Sequence, residues 1–289
     1  MPNTSGKMVI SQMGNNLKTT ILLGALTGLV LFFGYKIGGQ QGMFLGLMIS
    51  MAMNVGSYWF SDKIVLSMYK AKEIKHEDNP KIYKMVSDLA NKAGIPMPKL
   101  YIIDLPTPNA FATGRNKNHS AVALSNSIIS LLPEPELRGV VAHELGHIKH
   151  NDILTSTVAG MLAGVISYLS QMFFYFGSSR DDRDGGGNIL FLILTPIIAS
   201  LLHLAISRSR EYAADEFSSK ITREPQSLIE ALKKIHLVSK SHPLLASPKH
   251  EATAHLFISN PFKPSLLTSL FSTHPPLEAR IEKLQNLKI

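Results

Sequence analysis

The sequence predicts a mainly α membrane protein with four transmembrane helices and an α+β cytoplasmic domain that contains a small sheet. Three observations carry that prediction: four long stretches without a charged residue, helical periodicity in most of the remainder, and short β-like segments between residues 99 and 124. The uncharged stretches are Thr19 to Tyr35, Ile37 to Ser61, Ile153 to Ser179 and Gly185 to Ser207. A span needs about 20 apolar residues, within a range of roughly 17 to 25, and each stretch qualifies. Solid blocks such as ILLGALTGLVLFF and ILFLILTPIIASLLHLAI lack the polar face of a soluble helix. The spans are drawn at 19–35, 39–60, 153–176 and 188–207, as two hairpins.

The chain has 289 residues, of which 45% are apolar and 17% charged, with a mean hydropathy of +0.11. Every charged side chain lies outside the four stretches, so the intermediate average divides into a membrane anchor and an ordinary polar domain. Four segments follow: a hairpin at 1–61, a first cytoplasmic part at 62–152, a second hairpin at 153–207 and a second cytoplasmic part at 208–289. No A-x-A-like site follows the first stretch and a second stretch begins at once, so the first reads as an uncleaved anchor. Gly24 with Gly28, and Gly160 with Gly164, have the spacing of close helix approach, which is weak evidence because glycine is common in membrane helices. Lys36 alone between the first two spans, and the net-negative SSRDDRDGGG between the last two, mark external loops. The positive-inside rule then puts the N-terminus, the central segment and the C-terminal tail in the cytoplasm. The net charge of +8 belongs to that inner face, since no compact basic run suggests nucleic acid. The absence of Cys excludes a disulfide scaffold, a thiolate metal ligand and a cysteine nucleophile.

The polar elements follow in order. SMYKAKEI and PKIYKMVSDLANKAG read as amphipathic helix ended by Gly94, Pro96 and Pro98. Residues 99–104, 109–114 and 121–124 are strand candidates. PEPELRGVVAHELGHIKHND is a helix with acidic residues near its start and Lys and His near its end, as the helix dipole favours, and it runs almost without a break into the third span. The tail holds the helix SRSREYAADEFSSKI continuing the fourth span, the helix PQSLIEALKKIHLVSK, a Pro- and Ser-rich stretch with HLFISNPF, and a last helix in PLEARIEKLQNL.

Within the central helix, His143 and His147 are four residues apart, so both imidazoles face one point where a metal can accept them. Glu144 lies beside that face, where it can take a proton from a metal-bound water without itself ligating. This is the H-E-x-x-H logic of metallopeptidases. Three fixed positions do occur by chance, so the context matters. A metzincin is excluded, because residue 153 is Ile and residue 150 is not Gly. His150 faces another direction on the helix. The better third ligand is Glu211, in the helix that emerges from the fourth span, with Asp215 one turn later placed to accept a hydrogen bond from a ligating histidine. The two metal-bearing helices join the two ends of one hairpin, so their cytoplasmic ends must be close. A belt of interfacial charge at a membrane exit is the plainer account of Arg208, Arg210, Glu211 and Asp215.

HELGH with Asp152 five residues on, EYAAD after a hydrophobic hairpin, NAFATG upstream and STHPPLEARI near the end together resemble the HtpX-type integral membrane zinc metallopeptidases, relatives of the CAAX prenyl proteases. The resemblance covers essentially the whole chain. It implies a gluzincin-like domain with one Zn2+ per chain, held by His143, His147 and Glu211, and Glu144 as catalytic base. It further implies a plasma membrane peptidase, of the bacterial inner membrane type, that acts on misfolded or damaged membrane proteins. Asn109, Ala110, Phe111 and Ala112 match that family's substrate-side edge strand, and an edge strand can pair with an extended backbone. His274 and Arg280 are candidates for stabilising an oxyanion or for anchoring the tail. The partners expected are protein substrates and the lipid bilayer. Two other readings stay open: an intramembrane metalloprotease, and a metal-bound scaffold or chaperone-like adaptor that does not cut.

Overall fold

The computed structural model describes residues 4–159, 208–241, 256–259 and 275–287. Nearly all of the second predicted hairpin, its external loop, Gly160, Gly164 and His274 lie outside these residues. Mainly helical structure surrounds a small mixed sheet, as the composition and periodicity predict.

Helix α1 (Thr4–Trp59) is broken at Gly38 and Gly39, and Gly39 adopts φ 59°, a left-handed conformation that glycine reaches without penalty. The break falls where the first external loop is predicted. The two halves fold back on each other so closely that a Cβ on Gly34 would collide with the carbonyl of Gly42, and one on Gly42 with the carbonyl of Gly34. Further along, Asn54 Nδ2 donates to Thr27 Oγ1 at 2.9 Å. Gly24 and Gly28, the spaced pair singled out above, have no described atom within 4 Å of a Cβ built on them, so the close approach uses other glycines. Leu17–Lys36 is long and apolar enough to cross a membrane, and Gly38–Trp59 qualifies only together with α2 (Ser61–Met68), from which it is bent by 81°.

Lys70 turns the chain at φ 48°, and β1 (Lys72–Ile74) follows where the pattern predicts more helix. A three-residue strand has no period to read. Helix α3 (Pro80–Ala93) starts as expected: the Asn79 side chain accepts from the Ile82 N–H and Pro80 occupies the first turn. Strands β2 (Lys99–Ile103), β3 (Ala110–Asn116) and β4 (His119–Ser125) lie close to the predicted segments. The sheet order is β1-β2-β4-β3, with β2 and β4 parallel and the other pairs antiparallel, so β3 is an edge.

Helix α4 (Asn126–Leu131) leads to α5 (Glu134–Lys149), which carries both histidines. Helices α6 (Arg208–Thr222), α7 (Pro225–Ser241) and α8 (Leu277–Gln285) complete the described residues. The main core, including Val86, Leu89, Val122, Val141, Leu145 and Leu228, lies between one face of the sheet and these helices. A second core on the other face joins Val65 and Tyr69 to Phe111 and Phe257. Helix α5 is therefore buried on nearly every side. Gly139 meets the backbone of Leu228, and Gly146 meets Ala214 Cα at 3.1 Å from the position a Cβ would take.

Candidate metal centre

The close contact at Gly146 lays α6 against α5 at the level of the histidines. His143 and Glu211 are buried, and His147 is nearly so. His143 Nε2 lies 3.2 Å from His147 Nε2. The carboxylate of Glu211 lies 3.7 Å from the first nitrogen and 3.5 Å from the second. Donor atoms bound at about 2.0–2.2 Å around a tetrahedral zinc are roughly 3.3–3.5 Å apart, so these three separations match one face of such a site.

The outer nitrogens explain why the inner ones converge. Asp215 Oδ1 is 2.9 Å from His143 Nδ1, and Asp152 Oδ2 is 3.4 Å from His147 Nδ1. A carboxylate at Nδ1 keeps the proton there and leaves the Nε2 lone pair for a metal. Two such lone pairs facing each other at hydrogen-bond distance, beside a carboxylate, make a site that favours a cation between them. Burial pulls the His147 imidazole down, but Glu211 and Asp152 outweigh it and push its pKa up to about 9.

Asp152 reaches His147 through a local turn. Asn151 adopts φ 58°, the Asp152 N–H donates to the His147 carbonyl at 2.9 Å, and the Asn151 N–H donates to the Ile148 carbonyl at 3.2 Å. This is the Schellman termination of a helix, and it folds Asp152 back over the second histidine. It also separates α5 from the next helical residues, 153–159, where the sequence suggests near continuity. Arg210 Nε lies 3.5 Å from the other oxygen of Asp152. The role of Asp152 is missed by helical periodicity. The Asn at residue 151 is the signal that could have found it.

Arg280 donates to both oxygens of Asp215, from Nε at 2.9 Å and from Nη2 at 2.6 Å. Burial raises the Asp215 carboxyl, but the adjacent guanidinium and the hydrogen bonds from Arg280 and His143 hold it below the usual carboxylate range. Arg280 thus stands behind the histidine and does not line the cavity at the donor atoms. His150 packs edge-on against Phe217, with ring centroids 5.6 Å apart, and stays outside the donor triad.

A small cavity, with about 30 Å3 open to water-sized molecules, lies at the triad. Glu144 lines it beside the histidines, as do Ala112 from β3 and the segment Leu256–Ile258. That segment carries no sequence signal and is a second feature missed. The Ile258 N–H donates to the Ala110 carbonyl at 3.1 Å, and Asn109 Nδ2 donates to the Ser259 carbonyl at 2.7 Å. Phe111 is fully buried against Tyr69 and Phe257. Of the four residues Asn109 to Ala112, therefore, only Ala112 lines the cavity.

The model of peptidase family M48 matches residues 76–288. The chain belongs to that family. It is a metalloprotease, as its two-histidine helix suggests, and the resemblance to HtpX-type peptidases holds. A protease HtpX homolog of Syntrophobacter fumaroxidans is 47% identical over 285 residues, covering 95% of this chain and 100% of its own. One of Persephonella marina is 47% identical over 280 residues, covering 94% of this chain and 97% of its own. The crystal structure of S. mikatae Ste24p has the same fold, with a TM-score of 0.51 at 19% identity over 96% of this chain and 66% of that one. The M48 match includes every residue of the donor triad and both carboxylates behind it.

Proposed function

We propose that this M48 member is a zinc-dependent endopeptidase of the plasma membrane that cuts misfolded or damaged membrane proteins at a cytoplasmic-side site. The single observation that carries the reading is the convergence of His143, His147 and Glu211, each offering one donor atom within 4.8 Å of the others, on a cavity that Glu144 lines. Zinc held by these three donors would supply a Lewis acid that polarises a carbonyl and brings the pKa of a coordinated water to about 7. Glu144 takes the proton of the attacking water and returns it to the leaving amine. Asp215 and Asp152 keep the two imidazoles in the tautomer that ligation requires. Arg280, bound to Asp215 behind His143, acts as an anchor for the tail in place of an oxyanion donor.

The catalytic unit is assigned to two segments, 62–152 and 208–289, interrupted by a second transmembrane hairpin. In this reading the chain spans the membrane four times, with both catalytic segments and both termini on the cytoplasmic side. The supports are the Lys and Arg distribution, the folded-back hairpin within α1, and the way α5 and α6 meet where the second hairpin would begin and end. A scaffold that only binds partners has no use for Glu144, which is 2% exposed beside the ligands.

The deciding experiment compares the wild type with Glu144→Gln in detergent, with zinc measured by metal analysis and cleavage measured on a membrane-protein substrate and casein. The variant keeps its zinc and loses cleavage. Equal cleavage by both proteins would refute the assignment.

A further inference from the structure

The metal cavity has a definite position along the helices that lead to it. Ile153 and Ser156, in the first turn of the predicted third span, line it together with the ligands. Ser156 is three residues beyond Ile153, a rise of about 4.5 Å. Thr155 in the same turn shares a buried hydrogen bond of 3.0 Å with Thr19, which is two residues into the apolar helix Leu17–Lys36. Glu211 lies in the first turn of α6, at the exit of the predicted fourth span.

A second contact sets the same level from the other side of the cleft. Trp59 ends the second apolar segment, where α2 turns away by 81°. Arg115, near the end of β3, lies with its guanidinium carbon 4.6 Å from the centre of the Trp59 ring and donates to the Trp59 carbonyl at 3.3 Å. Tyr58, Trp59 and Phe60 are 36%, 52% and 51% exposed, and Lys63 Nζ sits 5.6 Å from the Phe60 ring centre. Exposed aromatics interleaved with cations at a span end belong at the headgroup layer. Strand β3 thus runs from Ala112 at the cavity to Arg115 at the membrane surface, about 10 Å for three residues. At its other end the outward carbonyl of Ala110 is taken by Ile258. The protein's own segment closes the cytoplasmic end of the edge strand.

We propose that the cleft opens at the cytoplasmic edge of the headgroup layer, and that this peptidase cuts extended segments at a fixed short distance from a transmembrane anchor. The proposal rests on the endopeptidase reading above and names its substrate class: membrane proteins with an extended juxtamembrane stretch. The headgroup layer on one side is roughly 5–7 Å thick, the strand from Arg115 to the cavity adds up to about 10 Å, and an extended chain advances about 3.3 Å per residue. The scissile bond therefore falls on the order of two to five residues from the apolar end of the anchor.

The test uses the full-length protein in lipid nanodiscs, with Glu144→Gln as the blank. The substrate is a single-span anchor followed on its cytoplasmic side by one cleavable unit repeated along an extended tail, and cut positions are mapped by mass spectrometry. The expected result is cutting in the first unit, favoured about tenfold or more over distal units by the geometry of tethering. Lengthening the apolar anchor by three residues at its cytoplasmic end moves the cut outward by the same three residues. Casein cleaved normally, with anchored cuts spread evenly along the tail or unmoved in sequence after the lengthening, would overturn the membrane ruler alone. Failure to cut both the anchored tail and casein would overturn the peptidase reading beneath it.

Discussion

Arg280 grips both carboxylate oxygens of Asp215, at 2.9 and 2.6 Å, and each of the two side chains is only 3% exposed. Asp215 in turn holds Nδ1 of His143 at 2.9 Å. The C-terminal helix is thereby coupled to a candidate metal-donor residue 137 positions earlier in the chain. A bidentate guanidinium fixes the orientation of the carboxylate as well as its charge, so the imidazole it holds has one preferred plane.

Arg280→Met is expected to leave Asp215 as a buried, uncompensated charge. Breaking such a pair costs about 3–5 kcal/mol of stability, and disturbing a partner behind a metal ligand lowers metal affinity roughly 10- to 100-fold. Arg280→Lys keeps the charge but not the fork, and should recover only part of both losses. Thermal unfolding with and without zinc, and competition against a chelator, measure the two effects. An unchanged unfolding midpoint and zinc affinity in Arg280→Met would contradict the coupling.

Asp152→Ala removes the acceptor at Nδ1 of His147 and leaves the helix-ending turn at Asn151 in place, since the turn uses only main-chain bonds. Zinc affinity should again fall by about 10- to 100-fold, while circular dichroism stays that of the wild type. Asp152→Asn retains an acceptor oxygen, so its loss should be the smaller. Equal zinc affinity in wild type and Asp152→Ala would show that Asp152 serves only Arg210.

Which parts of the site are legible in sequence depends on whether a period or a local rule governs them. His143, Glu144 and His147 are placed by helical geometry alone, and Glu211 and Asp215 follow because α6 starts where the predicted second hairpin would return. Strands β2, β3 and β4 are near their predicted positions because β-branched and small apolar residues sit between turn signals. Three features resist such reading. Asp152 depends on a single left-handed residue, β1 is too short to show alternation, and Leu256–Ile258 reaches the cavity only through tertiary pairing with Ala110. The close contact inside α1 forms at Gly34 and Gly42, not at the spaced pair Gly24 and Gly28, whose spacing is weak evidence on its own. Spacing along one helix identifies small residues but not which of them face the returning half.

Gly42→Leu should open that hairpin, because a Cβ on Gly42 already meets the carbonyl of Gly34 and a main-chain carbonyl cannot rotate away. Separating the two halves also strains the Asn54 to Thr27 hydrogen bond, and pairs of this kind in membrane helices are worth about 0.6 kcal/mol on average. A lower unfolding temperature in detergent is expected, with zinc stoichiometry retained because the site lies on other helices. Gly24→Leu provides the matched comparison, since no described atom lies near its Cβ. Equal losses in the two variants would deny the hairpin contact any special role.

Gly146→Ala tests how finely the third ligand is positioned. The added methyl would lie 3.1 Å from Ala214 Cα, 3.3 Å from Ala214 Cβ and 3.2 Å from Phe217 Cδ1. All three atoms belong to α6, so relief requires α6 to move away from α5 by a few tenths of an ångström. Overpacking of this kind costs about 1–3 kcal/mol. The direction of the movement matters more than the cost. Glu211 is less than one turn before Ala214 on the same helix, so its carboxylate retreats from both imidazoles together. Zinc affinity and cleavage should therefore fall by more than the loss of stability explains. Removing the methyl of the facing residue by Ala214→Gly in the same chain should restore part of both. If Gly146→Ala lowers the unfolding temperature and leaves zinc affinity intact, the packing at Gly146 supports the fold without setting the ligand.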